Sequence, residues 1–149
     1  MASTPSNVVI VGGGLAGAKT AEGLRAKGYD GPITLLTAEQ LLPYERPPLS
    51  KDYLNGKSSF DDAVVHPVAW YADNEVELRW GAEVTAVDPT GAEVELADES
   101  RVGYGALVLA TGSAPRVCVV VPRLAANEIE QVVVDDLVAR SALRAASEA

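Results

Sequence analysis

The apolar positions of this chain fall into short runs whose period changes from segment to segment. Asn7-Val8-Val9-Ile10-Val11 is β-branched and apolar on both faces, and three glycines follow it, which predicts a short buried strand. From Leu15 the pattern changes. Leu15, Ala18, Ala21, Leu24 and Ala26 recur near helical spacing until Gly28, Asp30, Gly31 and Pro32 stop them. Ile33-Thr34-Leu35-Leu36 reads as the next strand, running toward Glu39. Strand, glycine turn, helix and strand within about thirty residues predict a right-handed βαβ unit, and hence a parallel sheet.

Residues 40–68 show little periodicity and carry Pro43, Pro47, Pro48 and Pro67. A loop of that length is usually functional or disordered. Val76, Leu78 and Trp80 then alternate with Glu77 and Arg79, the period of a half-buried strand. Residues 84–87, 92–96 and 101–102 are short β segments separated by Pro89-Thr90-Gly91 and Asp98-Glu99-Ser100, which predicts a small antiparallel meander. Ala106-Leu107-Val108-Leu109-Ala110 returns to the fully buried type and ends in Thr111-Gly112-Ser113. Beyond Arg116 the character shifts again. Residues 117–121 are an unbroken apolar run containing Cys118, and residues 135–146 predict a terminal helix with Asp135 or Asp136 as its cap.

Composition narrows the chemistry. A chain of 149 residues with 48% hydrophobic and 22% charged residues has the make-up of one globular domain, against wholesale disorder. The single cysteine, Cys118, excludes an intrachain disulfide, a CxxC redox pair and a cysteine-built zinc site. With His66 as the one histidine, no metal site is expected. A formal net charge of −9 argues against nucleic acid and against an anionic membrane surface as the main partner. The first ten residues lack a signal-peptide pattern, and no stretch approaches the roughly 18 to 20 apolar residues of a membrane span, so the expected location is cytoplasmic.

One motif stands where such motifs do chemistry. Gly12-Gly13-Gly14-Leu15-Ala16-Gly17 is a GxGxxG set between a predicted strand and a predicted helix. Gly12 permits the tight turn, Gly14 lets the backbone approach a pyrophosphate, and Gly17 allows the helix to pack closely on the strand. The helix N-terminus offers unpaired N–H groups and a positive dipole end. Glu39, near the end of the second strand, is placed to accept hydrogen bonds from ribose hydroxyls. This pattern does not separate NAD from FAD. Elsewhere the signals are structural: His66 reads as a surface or packing residue, Trp70 and Trp80 as core or rim aromatics, and Cys118 as an inert buried thiol.

Two further stretches narrow the cofactor. Tyr44-Glu45-Arg46-Pro47-Pro48-Leu49-Ser50-Lys51 is followed much later by Leu109-Ala110-Thr111-Gly112-Ser113-Ala114-Pro115-Arg116. With the glycine turn, and in this order, they resemble the flavoprotein family of ferredoxin, rubredoxin and putidaredoxin reductases, which is pyridine nucleotide-disulphide oxidoreductase-like. The resemblance runs almost without gaps over residues 7–116. It implies FAD as cofactor, with Gly12, Gly14, Leu15, Ala16 and Gly17 at the pyrophosphate and Glu39 at the ribose. It also implies Arg46 near the adenosine-pyrophosphate portion and Lys51 beside the isoalloxazine ring, where Lys51 is the candidate catalytic neighbour. By the same resemblance the Val84 backbone contacts adenine, Ala110, Thr111 and Gly112 pass beside the pyrophosphate, and Arg116 joins the cofactor-binding set. Pro47-Pro48 is expected to hold the chain extended and so present Arg46 and Lys51, each proline fixing its own φ and restraining the residue before it.

The expected fold is α/β: a Rossmann-like FAD-binding domain over residues 1–116, with a parallel sheet, helices on its faces and a small antiparallel meander. Residues 117–149 are expected as a divergent segment packed on the same domain. The family's full fold adds an NAD(P)H domain and a C-terminal domain, and no second GxGxxG follows Gly17. The resemblance therefore implies the FAD-binding portion of an NAD(P)H-dependent ferredoxin or rubredoxin reductase. Its partners would be ferredoxin or rubredoxin and a separate NAD(P)H domain or subunit, and the chain alone would bind FAD or ADP without efficient NADH oxidation. Two other readings stand beside this one: a compact NAD(P)-binding domain, and a catalytically silent FAD/ADP-binding module serving as a homo-oligomeric scaffold.

Overall fold

The computed structural model describes residues 4–113. Strand β1 (Val8–Val11) leads through the glycine turn into helix α1 (Leu15–Ala26) and then β2 (Ile33–Leu36). Helix α2 (Val68–Asp73) and β3 (Val76–Arg79) follow a long connection. The meander is β4 (Val84–Asp88), β5 (Glu93–Leu96) and β6 (Arg101–Gly103), and β7 (Ala106–Leu109) comes after it. Arg116, Cys118, the apolar run 117–121 and the predicted terminal helix lie outside the described residues.

One sheet has the order β3-β2-β1-β7, with every neighbouring pair parallel. Val11 stands opposite Leu36 on one side and Leu109 on the other, so the carboxyl ends of three strands line up at one edge. The chain leaves β1 for β2 on one side and later returns to β7 on the opposite side. That reversal makes the carboxyl end of β1 a topological switch point, where open α/β sheets open a crevice for ligands.

Alternation along β1 explains why both of its faces are apolar. Val8 and Ile10 join Ala21 of α1, Ile33, Leu35, Val76 and Tyr71 of α2 in one core cluster. Val9 and Val11 join Leu36 with Val94 and Leu96 of the meander in another. Helices thus cover one face and the meander covers the other, where helices on the faces were expected. Val94 and Leu96 of this three-stranded sheet are buried, and each such side chain contributes about 1.5–3 kcal/mol when fully buried.

Three other expectations are corrected. Pro47-Pro48 does not extend the chain: Pro47–Ser50 is a 3₁₀ turn, and Arg46 before it has helical backbone angles (φ −75°, ψ −34°). Proline's fixed φ suits the first turn of a helix as well as an extended chain, and burial of Leu49 selects the turn. The loop 40–68 is not featureless either. It holds this turn, a second 3₁₀ turn at Asp61–Ala63, and bridges from Tyr44 to Gly14 and Val64. Finally, β7 is not fully buried. Its residues are half-buried at the edge of the sheet, and Leu109 is 62% exposed.

Candidate functional site

The carboxyl ends of β1, β2 and β7 gather most of the residues singled out in the sequence. Gly12, just past β1, has φ +118° and donates its amide to the Leu36 carbonyl (2.9 Å). A β-carbon there would overlap the backbone of Ala110, so the glycine turn and the Ala-Thr-Gly turn are packed backbone to backbone. Ala110 completes the junction by donating its amide to Val11 (2.8 Å), and Gly112 follows at φ +73°. Gly17 is buried on the inner side of α1, where a β-carbon would strike the Gly12 carbonyl.

Gly14 behaves differently. Its angles (φ −87°, ψ −175°) suit any residue, and a β-carbon would meet nothing within 4 Å among the described residues. Neither strain nor packing against protein therefore calls for glycine at this position, whereas close approach of a ligand to the backbone does. Gly14 is also the N-cap of α1. It supplies no side-chain cap, and the first turn contains no acidic residue. The amides of Leu15, Ala16 and Gly17 thus open α1 with no acceptor inside the helix and with the positive end of its dipole behind them. This is an arrangement that takes an anion.

Glu39 lies three residues past β2, half-buried. Its Oε2 accepts from the Tyr44 hydroxyl (2.8 Å) and its Oε1 from Arg46 Nη2 (3.3 Å). Its position is fixed through the backbone: the Glu39 amide donates to Thr37 Oγ1 (3.3 Å), and its carbonyl accepts from Gly81 (3.3 Å). Ala82 donates to the Thr37 carbonyl (2.8 Å), so the connection into β4 runs alongside. Val84 begins β4 and packs half-buried on the meander-side core. The structure therefore brings Gly12, Gly14, Leu15, Ala16, Gly17, Ala110, Thr111 and Gly112 to one sheet edge, and it joins Arg46 to Glu39. Lys51 stands exposed just past the 3₁₀ turn and is joined to that cluster by no side-chain hydrogen bond or ion pair among the described residues.

Two contributors escaped the sequence reading. Gly13 occupies a variable position of the motif, yet a β-carbon on it would overlap the buried side chain of Thr37. Tyr44 counted only as part of a motif, although it holds Glu39. His66 is a packing residue, as expected: its ring stacks on Trp70 (centroids 4.1 Å apart) and its Nε2 lies 2.9 Å from Glu22 Oε2. Trp80 is 45% exposed, a rim position. Among the described residues no cluster of His, Cys, Asp or Glu suits a metal ion, and no helix is long and apolar enough to cross a membrane.

Known proteins resemble this chain over most of its length. The ferredoxin–NAD(P)(+) reductase fdr of a Sphingomonas species is 44% identical over 116 residues, covering 78% of this chain and 28% of that protein. Putidaredoxin reductase CamA of Pseudomonas putida is 44% identical over 110 residues, covering 74% of this chain and 26% of that protein. Among solved structures, the ferredoxin reductase for the CYP199A2 system from Rhodopseudomonas palustris superposes with a TM-score of 0.78 at 34% identity, covering 94% of this chain and 34% of the other. The chain thus spans just over a quarter of the length of these curated relatives. Residues 6–146 match the family model described as pyridine nucleotide-disulphide oxidoreductase, and the chain belongs to that family.

Proposed function

We propose that this chain binds FAD through its ADP portion, and that it is the FAD-binding part of a reductase carrying electrons from NAD(P)H to a ferredoxin or rubredoxin. The observation that carries the reading is Gly14. Among the described residues it is a glycine required by neither strain nor packing, at a helix N-terminus without a side-chain cap, on the sheet edge that also holds Gly112. The first-turn amides of α1 bind the pyrophosphate, Glu39 accepts from the ribose, and Arg46 offers its guanidinium to the adenosine-pyrophosphate portion. Val84 lies toward the adenine through its backbone, and Lys51 and Arg116 complete the cation set. When bound, the flavin supplies the electron relay between a nicotinamide and an iron–sulfur partner. The chain's own task is to hold the cofactor and orient it.

Hydride transfer requires a nicotinamide held within about 3.5 Å of its acceptor, and one GxGxxG serves one dinucleotide. These 149 residues alone therefore take up FAD or ADP without efficient NADH oxidation, and activity needs an NAD(P)H-binding domain or subunit. A cytoplasmic setting belongs to this reading, since reduced nicotinamide is the donor there. Titration of the purified chain with FAD tests it: yellow absorbance that stays with the protein through gel filtration, with FAD held far more tightly than NADH, is the expected result. Protein that takes up no FAD, or that prefers NADH, refutes it.

A further inference from the structure

Tyr44 touches the two halves of the candidate site at once. It belongs to the connection after β2, yet it is only 4% exposed. Its backbone bridges Gly14 in the parallel sense and Val64 in the antiparallel sense. Flanking hydrogen bonds, Val65 to the Pro43 carbonyl (2.9 Å) and Glu45 to the Ala63 carbonyl (2.7 Å), fix the strand-like pairing. The ring meets Phe60 at 5.2 Å, tilted by 58°. A tyrosine held at both backbone and ring has little freedom to swing. Its hydroxyl donates to Glu39 Oε2 at 2.8 Å.

The two carboxylate oxygens of Glu39 are therefore unequal. Oε2 takes a short bond from a buried, rigid donor. Oε1 takes a 3.3 Å bond from Arg46, whose side chain is 54% exposed. Exposed ion pairs are weak, so an incoming hydroxyl displaces the second partner far more readily than the first. The same residue whose hydroxyl fixes the acid is tied by its backbone to the glycine turn. In an adenosine diphosphate only the 5′-methylene separates ribose from phosphate, so the spacing between carboxylate and phosphate turn must be held closely.

We propose that Tyr44 is a positioning residue for nucleotide binding: its hydroxyl locks Glu39 Oε2 so that Oε1 accepts from the ribose diol, and its bridge to Gly14 sets that carboxylate against the phosphate turn. The inference rests on the reading of this site as an ADP cradle. A hydrogen bond to a charged group corresponds to a factor on the order of tenfold or more in a binding constant.

Calorimetric titration of the full chain with ADP and with 2′,3′-dideoxy-ADP tests it. The unsubstituted chain is expected to prefer ADP by on the order of tenfold. Tyr44→Phe keeps the ring and its packing, and it should lower that preference to about two- to threefold. A purely structural tyrosine would weaken both nucleotides alike and leave their ratio unmoved. Glu39→Gln should lower the ratio similarly, with the double variant no worse than Glu39→Gln alone. A Tyr44→Phe chain that keeps the full preference, or losses that add in the double variant, overturns the proposal. If the unsubstituted chain binds ADP but ignores the missing hydroxyls, the role of Glu39 falls and this one with it; if it binds no ADP, the reading of the whole site falls. Should Tyr44→Phe not fold, NMR of the unsubstituted ADP complex decides: a slowly exchanging Tyr44 hydroxyl proton close to the Glu39 side chain supports the proposal, and its absence overturns it.

Discussion

The backbone of Gly12 lies so close to Ala110 that a β-carbon on Gly12 would overlap the Ala110 carbonyl. The turns that end β1 and β7 are thus one packed unit, and α1 is pressed onto it through Gly17, whose β-carbon would strike the Gly12 carbonyl.

The three motif glycines should consequently part company on substitution. Gly12→Ala and Gly17→Ala are expected to destabilise the fold by about 2–3 kcal/mol or more, because backbone cannot move aside as a side-chain tip can. Gly14→Ala meets no described residue and keeps an allowed backbone, so its stability should change by less than about 1 kcal/mol. Its FAD and ADP affinity should nevertheless fall at least tenfold, as an order of magnitude. Denaturant unfolding and nucleotide titration on all three variants check this. A Gly14→Ala chain that binds nucleotide normally would remove the ligand-side explanation of that glycine.

Arg25 fastens α1 to two turns at once. Its guanidinium donates to the carbonyls of Asn74 (2.7 Å), Tyr29 (2.6 Å), Gly31 (2.9 Å) and Glu75 (3.0 Å). Glu75 itself sits at φ +52°, a conformation that β-carbon sterics disfavour. Lysine has a compact ammonium in place of the planar fork and cannot span this set. Arg25→Lys should cost about 2–3 kcal/mol of folding stability, with nucleotide affinity in the folded fraction unchanged. Equal stability of variant and parent in urea would show that these carbonyls are as well served by water.

The sheet and the switch-point edge were legible because their cause is local: β-branched runs, a glycine turn, and helical spacing from Leu15 onward. Other features depend on what lies across space. The six residues of α2 follow Pro67 without a side-chain cap, and only Tyr71 among them is buried, too short a stretch for a periodic signal. At Pro47-Pro48 the prolines permit two backbone shapes, and the pocket for Leu49 decides between them. An apolar run such as β7 states a preference for burial but not which neighbours cover it. Glu39 could be proposed from its distance to the glycine turn; the hydroxyl of Tyr44 that holds it could not, because nothing local links residues 39 and 44.

Acid should weaken the fold in part through its turn carboxylates. The amides of Gly91 and Thr90 hold Asp88 below its ordinary value of 3.8, and the Ser100 hydroxyl and amide do the same for Asp98. Arg79 and Thr34 lower Glu77 below 4.5. A carboxyl whose folded value is depressed adds stability that is complete above its unfolded value and is lost as pH falls through the folded one. Melting temperature should accordingly drop on going below about pH 4. In an Asp88→Asn, Asp98→Asn double variant the dependence should be shallower. An unchanged acid slope in that variant would assign the loss to other groups.

The hydroxyl of Tyr71 supplies a test in the opposite direction. Tyr71 is 2% exposed, belongs to the core cluster that includes Val8, Ile10, Ile33 and Val76, and its hydroxyl has no hydrogen-bond partner among the described residues. A buried polar group left unpaired costs roughly 1–3 kcal/mol. Removing the oxygen while keeping the ring should therefore stabilise the chain, by about 1 kcal/mol in a Tyr71→Phe variant after allowance for the small gap left. Burial also pushes the phenol up to about 12 from 10.0. Because the folded value is the higher one, the unfolded chain releases its proton first, so stability is intact below pH 10 and falls as pH rises toward 12. Tyr71→Phe should shift the alkaline unfolding midpoint upward as well as raising stability at neutral pH. A variant less stable than its parent at neutral pH would mean that the hydroxyl finds a partner in solution after all.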